Sequence, residues 1–600
     1  MRLHARLARS LRESPLPGRS RTWDANCEPS KLCTACVTGV VVYLNRYHDS
    51  SDSAYSLDFG AEVFPITEPG VVYTKDWVVD FVLDVAGYTV NDDLLSGCVV
   101  EPSCGDGAFL RRIVSRLCER AMQEGALSVE RLMPCVRAFD LDDASVSASK
   151  AAVQRVLRRF CLGEDDSKRL LDAWVSQGDF LQSRVPSARW VVGNPPYVRS
   201  SLIPREQRMT YKKLLSCVTL GSDLYVGFFE KGLKALMEDG ALCFICSDRW
   251  LQNRYGSRLR AFVSEHYSLD VHVRMHGVAA FEDDVSAYPA ISLIKRGAGR
   301  PIRYMECNPR FSPRDVPSAK SWIISGGGAY RSENASADVL QPLSGSDSIP
   351  LADPEKLQLL GDLAYRYPRL EDAGVKLGIG IASGCDAVYI TEDSDLVEMD
   401  RMLPLFFMRD WRAGRREGTK CLVNPWNHDG TLVDLNDYPR LRSYLKKNEE
   451  RLKRRRVAKD HPDAWYRTLD KPDYSLMGRE MLLFPDMAAK ADPVYSDGSR
   501  YPHHNCYWMT SSEWDVRSLG GLMMSDLVEG YVDAFGVKMR GSTLRFQAQY
   551  LRLVHIPRAD EVDEETKQEL AEAFIAGSRE RANRASRKAY GLDELENGYA

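Results

Sequence analysis

Short apolar runs alternate with segments of helical period along the first half of the chain. The runs "GCVVEP", "CVRAFDLD", "WVVGNPP", "ALCFICS" and "AISLIKR" predict buried strands. Between the first two lies "GAFLRRIVSRLCERAM", whose Phe109, Ile113 and Leu117 recur on one helical face. Strands and helices in alternation predict an α/β domain built on a mostly parallel sheet. Upstream, "CVTGVVVYL" reads as one short buried strand. Past Pro350 the alternation stops, and Trp, Tyr and Arg become frequent. The last segment, "EETKQELAEAFIAGSRERANRASRKAYGL", predicts an exposed, charged helix.

These patterns divide the chain into five parts. Residues 1–67 read as a loose, partly disordered extension, or the product of an upstream start codon. The α/β domain covers 68–300. Gly, Ser, Asn and Asp dominate Ser325 to Pro350, so 301–350 reads as a connecting segment. A second, α+β domain covers 351–560, and a helical tail covers 561–600.

Six hundred residues with a net charge of -4 do not make a polycation, so a nucleic-acid role needs a locally basic surface. Scattered cysteines within apolar runs read as reduced thiols. Cys27, Cys33 and Cys36 lack a fourth clustered ligand, and His461, His503 and His504 read as surface or DNA-facing residues, so no metal site is expected. No apolar run reaches the ~20 residues that span a bilayer. A cytoplasmic protein without a membrane partner is expected.

"CVVEPSCGDGAFL" places a strand, a glycine turn and then a helix, an arrangement that lets backbone approach a ligand closely. It lacks the third glycine of the dinucleotide fingerprint. Acids close the next two strands. Asp140 in "AFDLD" is placed to hold ribose hydroxyls, whereas Asp142 suits a helix N-cap. Asp179 and Phe180 in "SQGDFLQS" are placed to bind and cover a purine, or Asp179 serves only as a turn residue. No phosphate-binding G-x-x-x-x-G-K-[ST] loop is present.

The fourth strand ends in Asn194-Pro195-Pro196-Tyr197. Proline cannot donate to a sheet ladder, so the strand stops there. The Asn194 side-chain oxygen and the Pro195 carbonyl are two acceptors suited to an exocyclic amino group, and Tyr197 offers a ring for stacking.

The order "GVVYTKDWVVDFVLD", "VVEPSCGDGAFL", "AFDLD", "GDF", "NPPY", "DLYVGFFEKGLKALMEDGALCFICSDRW" and "FEDDVSAYPAISLIKR" resembles the gamma-class, TaqI-like N6-adenine DNA methyltransferases. The resemblance is dense from Gly70 to Arg296. It implies a Rossmann-like catalytic domain using S-adenosyl-L-methionine, followed by a target-recognition domain. It also implies site residues. Thr74, Glu101, Pro102, Gly105, Asp106, Gly107, Asp140, Asp179, Phe180, Asn194 and Phe228 would contact the cofactor. Asn194, Pro195, Pro196 and Tyr197 would be catalytic, and Tyr197 and Phe281 would hold the flipped base. Lys75 departs from the proline common at that position in the family.

Between Arg401 and Lys459, Lys and Arg clearly outnumber Asp and Glu, which suits phosphate binding. The alternative is a solvated helix with Glu449 and Glu450 pairing nearby bases. Arg454, Arg455, Arg540, Arg545 and Gln547 are candidate DNA contacts. No metal-nuclease pattern accompanies them. Double-stranded DNA is the expected partner of a chain monomeric on it, with a cognate restriction endonuclease or other defence-system subunits. Rival expectations are methylation of cytosine N4, of RNA or of glutamine amides, and a catalytically idle DNA-specificity subunit.

Overall fold

The computed structural model describes residues 72–283, 288–415, 418–536 and 543–592. Its largest sheet has ten strands: β1 Val99–Glu101, β2 Val136–Asp140, β3 Val175–Gln177, β4 Ala188–Gly193, β5 Leu236–Ser247, β6 Tyr267–Arg274, β7 Pro289–Arg296, β8 Ile302–Cys307, β9 Tyr330–Arg331 and β10 Ala335–Leu340. Their order is β3-β2-β1-β4-β5-β7-β6-β8-β10-β9. From β3 to β5 every neighbouring pair is parallel. β7 inserts antiparallel between β5 and β6.

Helices cover both faces. Val99, Val136, Ala138, Trp190, Val192, Cys243 and Ile245 pack in one core with helices α1 Asp76–Val85, α2 Ala108–Gln123 and α3 Asp143–Arg159. Their chain neighbours Val100, Phe139, Val191, Leu242, Phe244 and Cys246 point the other way, into a second core with α4 Tyr225–Lys234 and α5 Ser257–His266. Side chains alternate between faces along a strand. With both faces buried, each strand is apolar throughout, which is why the runs read as unbroken. Each fully buried aliphatic or aromatic side chain contributes about 1.5–3 kcal/mol.

The chain builds β1, β2 and β3 outward on one side, then returns to place β4 on the other side of β1. That reversal opens a crevice at the carboxyl ends of β1 and β4, where ligands of such sheets bind.

The segment 301–350 is not a connector. β8 pairs parallel with β6, and β10 pairs antiparallel with β8. Between them lies helix α6 Val316–Ser325. Gly326, Gly327 and Gly328 all have left-handed φ, of 93, 125 and 96°, and turn the chain from α6 towards β9. The glycines mark a turn inside the first domain, while Ile302, Tyr304, Met305 and Cys307 are buried in its sheet. The first domain therefore reaches about residue 340.

Among the described residues the second domain holds two four-stranded sheets and a two-stranded one, Met487–Ala488 with Leu544–Arg545. Val375–Ile379, Cys506–Ser511, Met481–Pro485 and Val494–Ser496 pair antiparallel in one four-stranded sheet. Ile390–Thr391, Cys421–Val423, Met402–Phe406 and Tyr501–Pro502 form the other. The tail is also not a free helix. Helix α7 Val516–Met523 receives α8 Glu564–Ile575 closely, because a Cβ on Gly521 would stand 2.2 Å from the Leu570 carbonyl oxygen. Leu570 and Ala573 of α8 are buried, as are Ala582 and Ala585 of α9 Arg579–Ala589. The charges seen in the sequence lie on the outer faces of two packed helices.

Direct hydrogen bonds join the domains. Gln252 Nε2 donates to the Ala534 carbonyl (3.0 Å), and Arg274 Nη1 donates to the Leu351 carbonyl (2.7 Å). Among the described residues no helix is long and apolar enough to cross a membrane.

Candidate active site

The glycine turn leaves β1 at Glu101. Gly105 and Gly107 have φ of 51 and 88°, in the left-handed region that favours glycine. A Cβ on Gly107 would come 3.0 Å from the Ser149 Cα, so α3 packs against bare backbone. Ser149 Oγ donates to the Gly105 carbonyl (2.9 Å), and Cys104 N–H donates to the Phe139 carbonyl (2.9 Å). Asp140 Oδ2 accepts the Gly105 N–H (2.8 Å), which brings the acid at the end of β2 against the turn. Asp142 caps α3 by accepting the Ser145 N–H (2.8 Å), the role its position suggested. Asp106 Oδ1 accepts the Ala108 N–H at the start of α2 (3.1 Å).

Glu101 is 1% exposed, and its Oε2 has no partner. Burial raises its pKa well above the ordinary carboxyl value, and Asp140 and Asp106 add to the effect. The crevice thus holds a buried acid that lacks a donor, beside two further carboxyls. A hydroxyl or cationic ligand group would supply what Glu101 lacks.

Ser103 joins this turn to the fourth strand. Its Oγ donates to the Asn194 carbonyl (3.0 Å). Asn194 Nδ2 donates to the Val72 carbonyl (3.0 Å) and to Thr74 Oγ1 (3.1 Å). The main-chain carbonyl can only accept, so these bonds identify the nitrogen end of the amide. Asn194 Oδ1 is left buried and unpartnered. Neither Val72 nor Ser103 stood out in the sequence, because each acts through a contact about a hundred residues away.

Pro195 is buried, and Pro196 and Tyr197 are half-buried. The Tyr197 hydroxyl has no partner, and burial raises its pKa. Its ring meets Phe281 edge-on, with centroids 6.2 Å apart and planes at 79°. A base could lie between them only after one ring turns. Phe281 is placed by pairing with Thr74 in an isolated bridge, flanked by Lys75 N–H to the Ala280 carbonyl (3.1 Å). The strip 72–75 therefore positions both Asn194 and Phe281. Lys75 also precedes α1 as its N-cap.

Phe180 stacks on Phe228 at 5.4 Å and packs edge-on against Phe139 at 5.7 Å, forming an apolar wall. Asp179 is more engaged than its sequence position suggested. Oδ1 accepts the Leu181 N–H (2.9 Å), while Oδ2 accepts Gln182 Nε2 (2.6 Å) and the Tyr211 hydroxyl (2.8 Å). A ligand amino group must displace or share one of these donors.

A buried charge network beneath the site had no sequence signal. Asp248, just after β5, accepts from Arg274 Nε (3.0 Å) and lies 2.7 Å from His276 Nε2. Arg274 also donates to Glu306 (3.3 Å). Burial opposes the charge on Asp248, but His276 and Arg274 hold its pKa below the carboxylate range.

The candidate DNA contacts fare differently. Arg455 donates to the carbonyls of Leu452 (3.0 Å), Trp465 (2.8 Å) and Arg467 (2.9 Å), and its guanidinium lies 5.2 Å from the Tyr389 ring centre. It is an internal strut, so the expectation of a free phosphate contact is corrected. Arg545 donates to Asp486 Oδ2 (2.6 Å), which neutralises it. Gln547 accepts from Gln549 Nε2 (3.0 Å). Arg454 has an 83% exposed side chain, 3.9 Å from Glu450. Lys453 pairs with Glu449 at 2.6 Å, one helical turn apart. Arg540 and the three clustered cysteines lie outside the described residues. His461 is exposed, but His503 is buried and His504 half-buried, contrary to the expected surface role.

The Eco57I restriction-modification methylase family matches residues 189–281, from β4 through the tetrapeptide to Phe281. The Type II methyltransferase M.PaeR7I of Pseudomonas aeruginosa is 38% identical over 532 residues, covering 88% of this chain and 92% of that protein. M.XhoI of Xanthomonas vasicola is 37% identical over 540 residues, covering 88% and 98%. M.BstVI of Geobacillus stearothermophilus is 33% identical over 542 residues, covering 88% and 97%. The likeness extends through both domains.

Proposed function

Because this chain belongs to the Type II DNA methyltransferases of restriction–modification systems, we propose that it methylates N6 of adenine in double-stranded DNA, with the base turned out of the helix. S-adenosyl-L-methionine is its cofactor. The residues present fit that molecule. Two left-handed glycines clear space for it, Asp140 closes the neighbouring strand, and unpaired Glu101 faces a crevice of acids suited to a positively charged donor. Glu101, Asp140 and the 105–107 turn would hold it, beside the Phe180–Phe228 wall.

When bound, the cofactor supplies an electrophilic methyl group on a positively charged sulfur. The chain prepares the nucleophile. An exocyclic amino nitrogen is weakly nucleophilic because its lone pair is delocalised into the ring. Asn194 Oδ1 and the Pro195 carbonyl accept hydrogen bonds from its two N–H groups, draw the nitrogen towards tetrahedral geometry and aim its lone pair at the glycine turn. These acceptors are positioned before the base arrives, so little reorganisation is needed during reaction. Tyr197 and Phe281 recover part of the few kcal/mol that extrusion of a base costs.

One observation carries this reading: Asn194 Oδ1 is a buried acceptor without a donor, while the other end of the same amide is tied down twice. The second domain would recognise the target sequence, and a cognate endonuclease is the expected partner. The test is to express the chain in a methylation-free host and analyse nucleosides from its DNA. N6-methyladenine confined to one sequence context is expected. N4-methylcytosine alone, or no modified base, would overturn the assignment.

A further inference from the structure

Two adjacent imidazoles lie inside the second domain. His503 is 2% exposed. Its ring stacks on Phe407 with centroids 4.3 Å apart and meets the His504 ring at 4.0 Å. Neither nitrogen of His503 has a hydrogen-bond partner, nor has Nδ1 of His504. An unsatisfied buried polar atom costs about 1–3 kcal/mol, so three in one place require an explanation.

Asp386 stands beside them. Its Oδ2 is 3.6 Å from His503 Nε2, beyond a normal hydrogen bond. Its Oδ1 accepts the Ser383 hydroxyl, which leaves Oδ2 facing the imidazole. One ligand atom from each of Asp386, His503 and His504 lies within 4.8 Å of the others. The supporting backbone is tied together without help from an ion. Ile381 pairs with His503 in a parallel bridge, His503 N–H donates to the Phe406 carbonyl (3.1 Å), and His504 N–H donates to the Ile381 carbonyl (3.1 Å).

We propose that Asp386, His503 and His504 bind one divalent transition-metal ion of the zinc class, with solvent completing its coordination. Two imidazoles and one carboxylate suit such ions better than calcium or magnesium, which prefer all-oxygen shells. Ligand distances of about 2.0–2.2 Å put tetrahedral neighbours roughly 3.3–3.5 Å apart, so the side chains close by about an ångström on binding. Asp386 can make that movement, since its side chain is 51% exposed. The same exposure gives the ion a route from solvent. Ser383 acts as the outer partner that orients the carboxylate. The ion clamps the 381–386 loop to the 501–506 turn. That loop also receives the Arg455 strut, whose Nη1 donates to the Ser383 carbonyl (3.5 Å). This role is independent of the methyl-transfer reading.

The full-length chain, stripped with a chelator, is titrated with Co²⁺ and then with Zn²⁺ in competition with a chromophoric chelator. One Co²⁺ per chain is expected, with visible d–d absorption and none of the near-ultraviolet charge-transfer bands that thiolates produce. Zn²⁺ displaces it and raises the melting temperature. Asp386→Asn, an exposed change that the fold tolerates, lowers affinity by more than about tenfold, as does His504→Gln. Even outer partners of such sites change affinity about 10–100-fold. Absence of stoichiometric binding, thiolate bands alone, or equal affinity in wild type and both variants would overturn the proposal.

Discussion

Asn194 donates through Nδ2 to Thr74 Oγ1 across 3.1 Å, although 120 residues separate them in sequence. This bond, with the one to Val72, ties down the nitrogen end of the amide and leaves its buried oxygen without a partner. Orientation of the acceptor is therefore set by a strip that precedes the first helix, not by the tetrapeptide alone.

Asn194→Ala removes the side-chain acceptor and leaves the glycine turn intact. Methyl transfer should fall by at least about 10²–10³-fold, the loss seen when one preorganised polar contact is deleted. Binding of S-adenosyl-L-methionine, followed by calorimetry, should persist. Retention of near-wild-type single-turnover rates would remove Asn194 from the mechanism.

Thr74→Val deletes one of the two acceptors that fix the amide. The expected cost is about 0.5–1.5 kcal/mol, or roughly a 2–10-fold drop in kcat, with KM for DNA little changed. Thr74→Ser keeps the hydroxyl and should restore the rate. Equal defects in the two variants would point to packing instead of orientation.

Glu101 carries a pH signature. Burial raises its folded pKa above the unfolded value of about 4.3, so the folded state holds a proton that the unfolded state releases. Its contribution is fully present below that unfolded value and is lost as pH rises through the folded pKa. Glu101→Gln should therefore melt higher than wild type at neutral pH without ligand, and the gap should shrink towards pH 4. Thermal melts across that range check it, and a pH-independent gap would contradict it.

Two neighbouring arginines should separate stability from DNA binding. Arg455→Ala leaves three carbonyls without their donor and should cost about 1–3 kcal/mol in a denaturant melt. Arg454→Ala should leave the melt unchanged, weaken DNA binding across all sequences and reduce the salt slope by about one. A large stability loss in the second variant would reassign Arg454 to the fold.

The alternation of strands and helices, the glycine turn, the placing of Asp140 and Asn194 at strand ends and of Asp142 at a helix N-cap were legible in the chain itself. Each depends on local chemistry: apolar runs bury, glycine permits a left-handed φ, and proline stops a ladder. Tertiary structure alone decided which polar groups remained free. It left Glu101 and Asn194 Oδ1 unpaired, occupied Asp179 with Tyr211, turned Arg455 inward and buried His503. It also drew β8 and β10 into the sheet, although the glycines around them suggested a linker. A hydrogen bond or ion pair is settled by whichever partner folding brings within about 3 Å, and that partner often lies tens to hundreds of residues away. Local composition carries no record of it.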